Sequence, residues 1–175
     1  ELEPRPFLER FAGRAFRRPL RPGELDPIVS MVETALANGM DREVALKNGL
    51  RAILVAPQFL YLYENKGQLD DYALASRLSY FLWATMPDAE LLKLAAAGQL
   101  SDRRILLGQA RRLLADSRSD AFVRHFTDRW LGLHQLGSMP PDENGFGAWY
   151  YHGQLERNGR EETVRFFRHI LDHNL

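Results

Sequence analysis

Two stretches of this chain hold residue types that could do chemistry. The first is the apolar run between Asp70 and Ala84, which contains Arg77. At about 100° per residue Arg77 falls at the edge of a helical face made by Leu74, Leu78 and Phe81. Burying a guanidinium without a partner is costly, so it must reach a carboxylate or a bound anion. Asp70, Asp71 and Asp88 are the nearest acids in sequence. Arg77 is then either a structural ion pair that orients helices or an anion site. On the opposite side Ser76, Ser79 and Trp83 fall at i, i+3 and i+7. Short serines let another helix approach closely, so this side is expected to be covered as well. The alternative is a ligand- or protein-binding strip anchored by Trp83.

The second stretch, His134 to Gly153, has no period, and irregular segments of this length in compact domains are usually functional or disordered. It carries Pro140-Pro141, Gly145-Phe146-Gly147 and Trp149-Tyr150-Tyr151-His152. Aromatic faces stack on sugars or other flat ligands while Tyr and His supply hydrogen bonds, or else the rings tack the loop to a core. Three consecutive rings cannot all face one surface. Trp149 is therefore expected as the inward anchor, with Tyr150 or Tyr151 presented outward for contact and Phe146 and His152 as helpers. Asp142-Glu143-Asn144-Gly145 lacks the alternating ligand spacing of a calcium loop and is read as a turn.

Other constellations are weaker. His169 and His173 are four apart with Glu162 on the same stripe, but seven residues of helix is about 10 Å and Arg165 intervenes, so no metal site is assigned. No histidine stands beside a serine nucleophile in a hydrolase motif, and no catalytic constellation emerges. Residues 103–129 hold seven arginines against three aspartates, which reads as a solvated face. Arg17 and Arg18, just before Pro19, are placed to bind carbonyls at a helix C-terminus.

The elements that carry these residues are helical, since apolar residues recur at three and four. Phe7, Leu8, Phe11, Ala15 and Phe16 make one stripe. Pro22 with Glu24 is read as the opening of a second helix, and Asp41 as the cap of a third that Pro57 ends. Gln58 to Tyr63 fits either a short helix or an extended segment. The polar break at Glu64 to Leu69 reads as a joint. Beyond it Asp70, Asp88, Ser101 and Asp120 are read as caps, with Phe122, Phe126, Trp130 and Leu133 on one face of the last of these helices. A final helix is expected from Asn158, with Glu161 completing a capping box. The fold class is all-α, a bundle-like array of roughly eight helices in two packed units with negligible strand.

Composition narrows function by exclusion. In 175 residues, 23 basic and 23 acidic side chains balance, which removes the global electrostatic case for nucleic acid. Twenty of the 23 basic residues are arginine, a bias that codon usage explains as readily as chemistry. There is no cysteine, hence no disulfide, thiolate metal site or c-type haem attachment in these residues. No apolar run is long enough for membrane insertion, and Glu1-Leu2-Glu3-Pro4 lacks the basic-then-apolar pattern of a signal peptide and is expected to be the start of a fragment of something longer.

Several strings are more specific. "FAGRAFRRPL" (Phe11 to Leu20), "AILVAPQFLYL" (Ala52 to Leu62), "LASRLSYFLWATMPDAELLKLA" (Leu74 to Ala95), "ARRLLAD" (Ala110 to Asp116) and "RWLGL" (Arg129 to Leu133) together resemble the planctomycete cytochrome-c-associated proteins. The likeness covers almost the whole chain as two consecutive domains of unknown function, 1–64 and 69–175, the second expected to be incomplete at its C-terminus. The resemblance implies an exported, periplasmic or extracellular, multidomain protein with haem c in other domains and no cofactor in this chain. Its partners would be neighbouring domains of the same polypeptide, a haem-c domain among them, and the anion reading of Arg77 would extend to a haem propionate. The function so implied is a helical scaffold or interaction module. The rival is the substrate-binding module of an extracellular oxidoreductase acting on carbohydrate or another organic substrate.

Overall fold

The computed structural model describes residues 3–62, 64, 67–139, 141–142, 144–145, 150 and 154–173. Its helices are α1 (Pro4–Ala15), α2 (Asp26–Ala37), α3 (Arg42–Leu54), α4 (Pro57–Leu60), α5 (Asp71–Trp83), α6 (Ala89–Ala96), α7 (Arg103–Ala115), α8 (Asp120–Trp130) and α9 (Leu155–His173). Short 3₁₀ turns lie at Ser117–Ser119 and Leu133–Gln135. No strand occurs among the described residues, and the fold is all-α. The chain forms two compact units, Glu1–Leu78 with Met86–Leu106, and Ser79–Thr85 with Leu107–Leu175.

The core of the first unit follows from helical spacing. Leu8, Ala12, Ala15 and Phe16 at the α1 end meet Leu25, Val29 and Val32 of α2 and its approach, and Ala45 and Ile53 of α3. Gly49 sits where the three helices meet. A Cβ there would lie 2.8 Å from Val32 Cγ2 and 2.9 Å from a Leu8 methyl, so only glycine admits this approach. The second unit is built around Trp83, Leu113, Val123, Thr127 and Leu133, all buried.

Helix starts at Asp41, Asp70 and Asp88 are capped as expected. Their carboxylates accept from the backbone N–H groups of Val44 (3.1 Å), Ala73 (2.8 Å) and Leu91 (3.0 Å). Gln58 to Leu60 is helical, and Tyr61 then turns extended. Other starts differ from expectation. Pro27, not Pro22, sits in the first turn of α2, because Glu24 is engaged by Arg18 in the turn that precedes the helix. Asp102 rather than Ser101 caps α7, since Ser101 Oγ is drawn to Asp71. Asp120 caps nothing as the first residue of α8; Asp116 caps the 3₁₀ turn before it. The last helix begins at Leu155, and Glu161 forms no capping box but accepts from Arg124 Nη1 of α8 at 2.7 Å.

Candidate functional site

In the first unit a cavity of about 470 Å³ is walled by the segment after α1, by α4 and its exit, and by the start of α5. Arg17 fixes one wall. It is buried, and its guanidinium donates to the carbonyls of Ala15 (3.3 Å), Phe59 (3.2 Å), Gln58 (2.9 Å) and Tyr61 (3.1 Å). The planar fork of donors suits several carbonyls at once, and it holds the four-residue α4 that could not persist alone. Arg17 also has φ 59°, a left-handed conformation that L-residues avoid, so the tertiary bonds must outweigh local preference.

A second wall is a bidentate pair. Arg18 donates to Glu24 through both terminal nitrogens (2.9 and 2.6 Å), and Glu24 also accepts from the Arg21 N–H at 2.9 Å. The Arg18 hydrogen bonds hold the Glu24 carboxyl below its ordinary range, with the Arg21 backbone bond adding to the effect. Glu64, also in the lining, pairs with Arg77, whose Nε donates to Oε1 at 2.6 Å while Nη2 contacts Oε2. This pairing lowers the Glu64 pKa and raises that of Arg77.

Two expectations about α5 are corrected here. Arg77 is not at the edge of a buried face: its side chain is 59 % exposed, and its partner is Glu64, not Asp70, Asp71 or Asp88. The deeply buried side of α5 is Ala75, Ser76, Ser79, Leu82 and Trp83, whereas Phe81 is 63 % exposed. Asp71 instead accepts from the Leu100 N–H at 2.6 Å and ties α5 to the turn before α7. Trp83 offers no surface strip. Its indole N–H donates to the Leu113 carbonyl at 2.9 Å, and Arg118 lies 3.4 Å from the ring centroid in a cation–π contact.

Arg118 is held there by Asp116, which accepts from its Nε (2.9 Å), Nη2 (2.8 Å) and backbone N–H (2.9 Å). Those bonds bring the Asp116 carboxyl down to about 2.

The second unit also carries a ladder of rings that the sequence did not place outward. Phe81, Phe122 and Phe126 follow at centroid distances of 5.0 and 5.4 Å, and Phe126 meets both Trp130 and Phe167 at 5.4 Å. Phe122, Phe126 and Trp130 do share a face of α8, but Val123 and Thr127 take the core. Trp130 is 64 % exposed and Phe166 on α9 65 %.

Of the aromatic loop, Phe146, Trp149, Tyr151 and His152 lie outside the described residues. Tyr150 is half-buried and its hydroxyl donates to Glu156 Oε2 at 3.4 Å, beside Arg160, which donates to Glu156 Oε1 at 2.8 Å. Tyr150 lines a shallow recess with Gln154, Glu156 and Arg160, and neither Arg77 nor Trp83 is among the described residues lining it. Among the described residues no group of three or more His, Cys, Asp or Glu side chains could hold a metal ion. His169 and His173 stack on each other at 4.1 Å. The chain has no cysteine, so haem c cannot be attached to it through thioethers.

The fold and these sites define an all-α protein with a walled cavity in its first unit and exposed aromatic rings in its second. Residues 69–175 match the family model described as PSD4, "Protein of unknown function (DUF1592)", and the chain belongs to that family. Residues 4–64 match a second model, PSD5, "Protein of unknown function (DUF1595)", so the two domains stand consecutively. No curated protein and no solved structure matches the chain. The compact units divide the chain elsewhere than the family segments do, and the cavity takes lining from both segments. No helix among the described residues is long and apolar enough to cross a membrane.

Proposed function

We propose that this chain is a helical scaffold or interaction module of an exported, haem-c-associated multidomain protein of the planctomycete type, with residues 1–64 and 69–175 as its two domains. The observation that supports this is the aromatic ladder of the second unit. Full burial of such a ring stabilises by about 1.5–3 kcal/mol, yet Phe81 and Trp130 of the ladder remain about two-thirds exposed, as does Phe166, the residue before its Phe167. Clustered exposed aromatics are the usual anchors of protein contacts. The partner is a neighbouring domain of the same polypeptide, foremost a haem-c domain, in the periplasm or outside the cell.

Haem quenches nearby tryptophan emission, which gives the test. Titrating the chain with the separately produced haem-c domain of its own polypeptide should quench the emission saturably, and Phe81→Ser with Phe166→Ser should weaken the effect. Unchanged emission, or quenching indifferent to that double substitution, overturns the reading.

The cavity favours a second reading, the substrate-binding module of an extracellular oxidoreductase acting on carbohydrate or another organic substrate. Its size falls in the range of about 300–1,000 Å³ that accommodates small ligands.

A further inference from the structure

We propose that the cavity of the first unit binds an uncharged, hydroxyl-rich ring, a mono- or disaccharide unit, which rests on the second reading above and names its ligand. Charge comes first. Among the described residues the lining cations Arg17, Arg18 and Arg21 are matched in number by Glu24, Glu64 and Asp70. Most of these charges are already engaged: Arg18 with Glu24, Glu64 with Arg77, Arg17 with four carbonyls, and Asp70 with the Ala73 N–H. An anionic ligand would meet carboxylates in the same wall, and a cationic one would meet guanidiniums. Neither sign is favoured, which selects a neutral ligand.

Neutral polar groups are what the wall leaves open. Ser76 is 5 % exposed and lines the cavity, yet its hydroxyl makes no hydrogen bond to any described residue. The hydroxyl is not shut in without a partner; it opens onto accessible space, where a ligand hydroxyl can both donate to it and accept from it. The side chains of Gln58 and Tyr72, both half-buried in the wall, likewise have no side-chain hydrogen bond among the described residues and add an amide and a phenol. Several convergent neutral donors and acceptors match the spaced hydroxyls of a sugar.

Stacking completes the match. Tyr61 lines the cavity and is 67 % exposed, and its own carbonyl is held by Arg17, so the ring is presented from a fixed backbone. Aromatic faces pack against the C–H face of a pyranose while its hydroxyls reach the polar wall. Fixing the stacking surface in advance reduces the ordering cost of binding.

The test uses the 175-residue chain, with glucose, galactose, mannose, xylose and their 1,4-linked disaccharides as neutral probes and glucuronate and glucosamine as charged counterparts. Saturation-transfer NMR identifies binders, and calorimetry gives dissociation constants. At least one neutral sugar should bind with a millimolar or tighter constant. Tyr61→Ala, at an exposed position, and Ser76→Ala should each weaken it by about tenfold. Should Ser76→Ala prove unfolded by circular dichroism, Tyr61→Ala decides alone. No binding by any neutral probe, tighter binding of glucuronate or glucosamine, or neutral-sugar binding untouched by Tyr61→Ala overturns the proposal. Preferential binding of a charged probe in the cavity would leave the substrate-module reading standing while this one falls.

Discussion

The two compact units spend arginine differently. In the first, guanidiniums bond to backbone carbonyls and to carboxylates around an open space: Arg17 on the α4 carbonyls, Arg18 on Glu24, Arg77 on Glu64. In the second they close space. Arg118 covers the Trp83 ring, and Arg168 of α9 donates to Ser119 Oγ at 2.6 Å and to the Leu114 carbonyl at 3.3 Å. The first arrangement leaves a cavity with polar walls. The second buries Trp83 beneath Arg118 and leaves Phe81, Trp130 and Phe166 exposed. A hollow suits a small ligand and a ring-covered face suits a protein, so the two functional readings belong to different units and can be broken separately.

The largest effect is expected at Arg17. Arg17→Ala leaves the carbonyls of Gln58, Phe59 and Tyr61 without this donor and releases α4, at a cost of about 3 kcal/mol. Arg17→Lys should recover less than half, since one ammonium cannot span several carbonyls as a planar fork does. Urea unfolding midpoints measure both. If alanine proves neutral, the cavity wall is not held by this residue and the contrast between the units fails on its first side.

Next is Trp83→Phe, which keeps the buried ring under Arg118 but removes the indole N–H. The Leu113 carbonyl then loses its donor, with an expected loss of about 1–3 kcal/mol. Thermal denaturation followed by circular dichroism reads it. A stability equal to the parent would mean that the bond is dispensable and that packing alone holds the second interior.

Acid and salt separate the units more finely. Asp116 at about 2, and Glu24, Glu64 and Glu161 below their ordinary values, all have folded pKa values lower than unfolded ones. Such groups contribute stability that is complete above about pH 4.5 and is lost as pH falls toward 2. Melting temperature should therefore drop across that window. At neutral pH the exposed Arg124–Glu161 pair is open to screening, whereas Glu24 in the wall is 10 % exposed. In about 1 M NaCl the Debye length is about 3 Å, so the small cost of Glu161→Gln should vanish while that of Glu24→Gln persists. Equal salt sensitivity of the two variants would argue against a sheltered pair in the cavity wall.

How far these sites were legible in the sequence depended on the distance of the partners. Asp41, Asp70 and Asp88 announce their helices because the N–H each accepts is three residues away. Arg17 announces only a local carbonyl role: Ala15 is two residues off, but the Gln58 and Tyr61 carbonyls lie 41 and 44 residues downstream and have no local signature. Arg77 called for a carboxylate, yet the one it finds stands 13 residues before it, across the polar joint. On α5 the expected cover over Ser76, Ser79 and Trp83 is present, whereas Phe81 of the apolar stripe is 63 % exposed, because periodicity counts apolar residues without saying which of them a neighbour reaches. Of the two serines only Ser76 lines the cavity, while Ser79 donates to the Thr85 carbonyl, so their shared spacing marks a buried side and not a cavity. On α8 the apolar stripe is wider than the core it serves, so Val123 and Thr127 fill the interior and the larger rings are left at the surface.

That surplus of rings frames the smallest expected effect. Phe166 is 65 % exposed on α9, and its replacement removes little buried area, so Phe166→Ser should change stability by no more than about 0.5 kcal/mol. Phe167, one residue on, packs against Phe126 and Trp130 and should cost about 1–3 kcal/mol when replaced by serine. The adjacent pair thus separates a ring that serves the fold from a ring that serves contact. If the surface is an interaction face, Phe166→Ser alone should lower affinity for the haem-c domain while the unfolding curve stays in place, a split that simple destabilisation does not produce. If instead Phe166→Ser unfolds the chain as readily as Phe167→Ser, both rings belong to the core, and the second unit carries no free aromatic face to set against the cavity of the first.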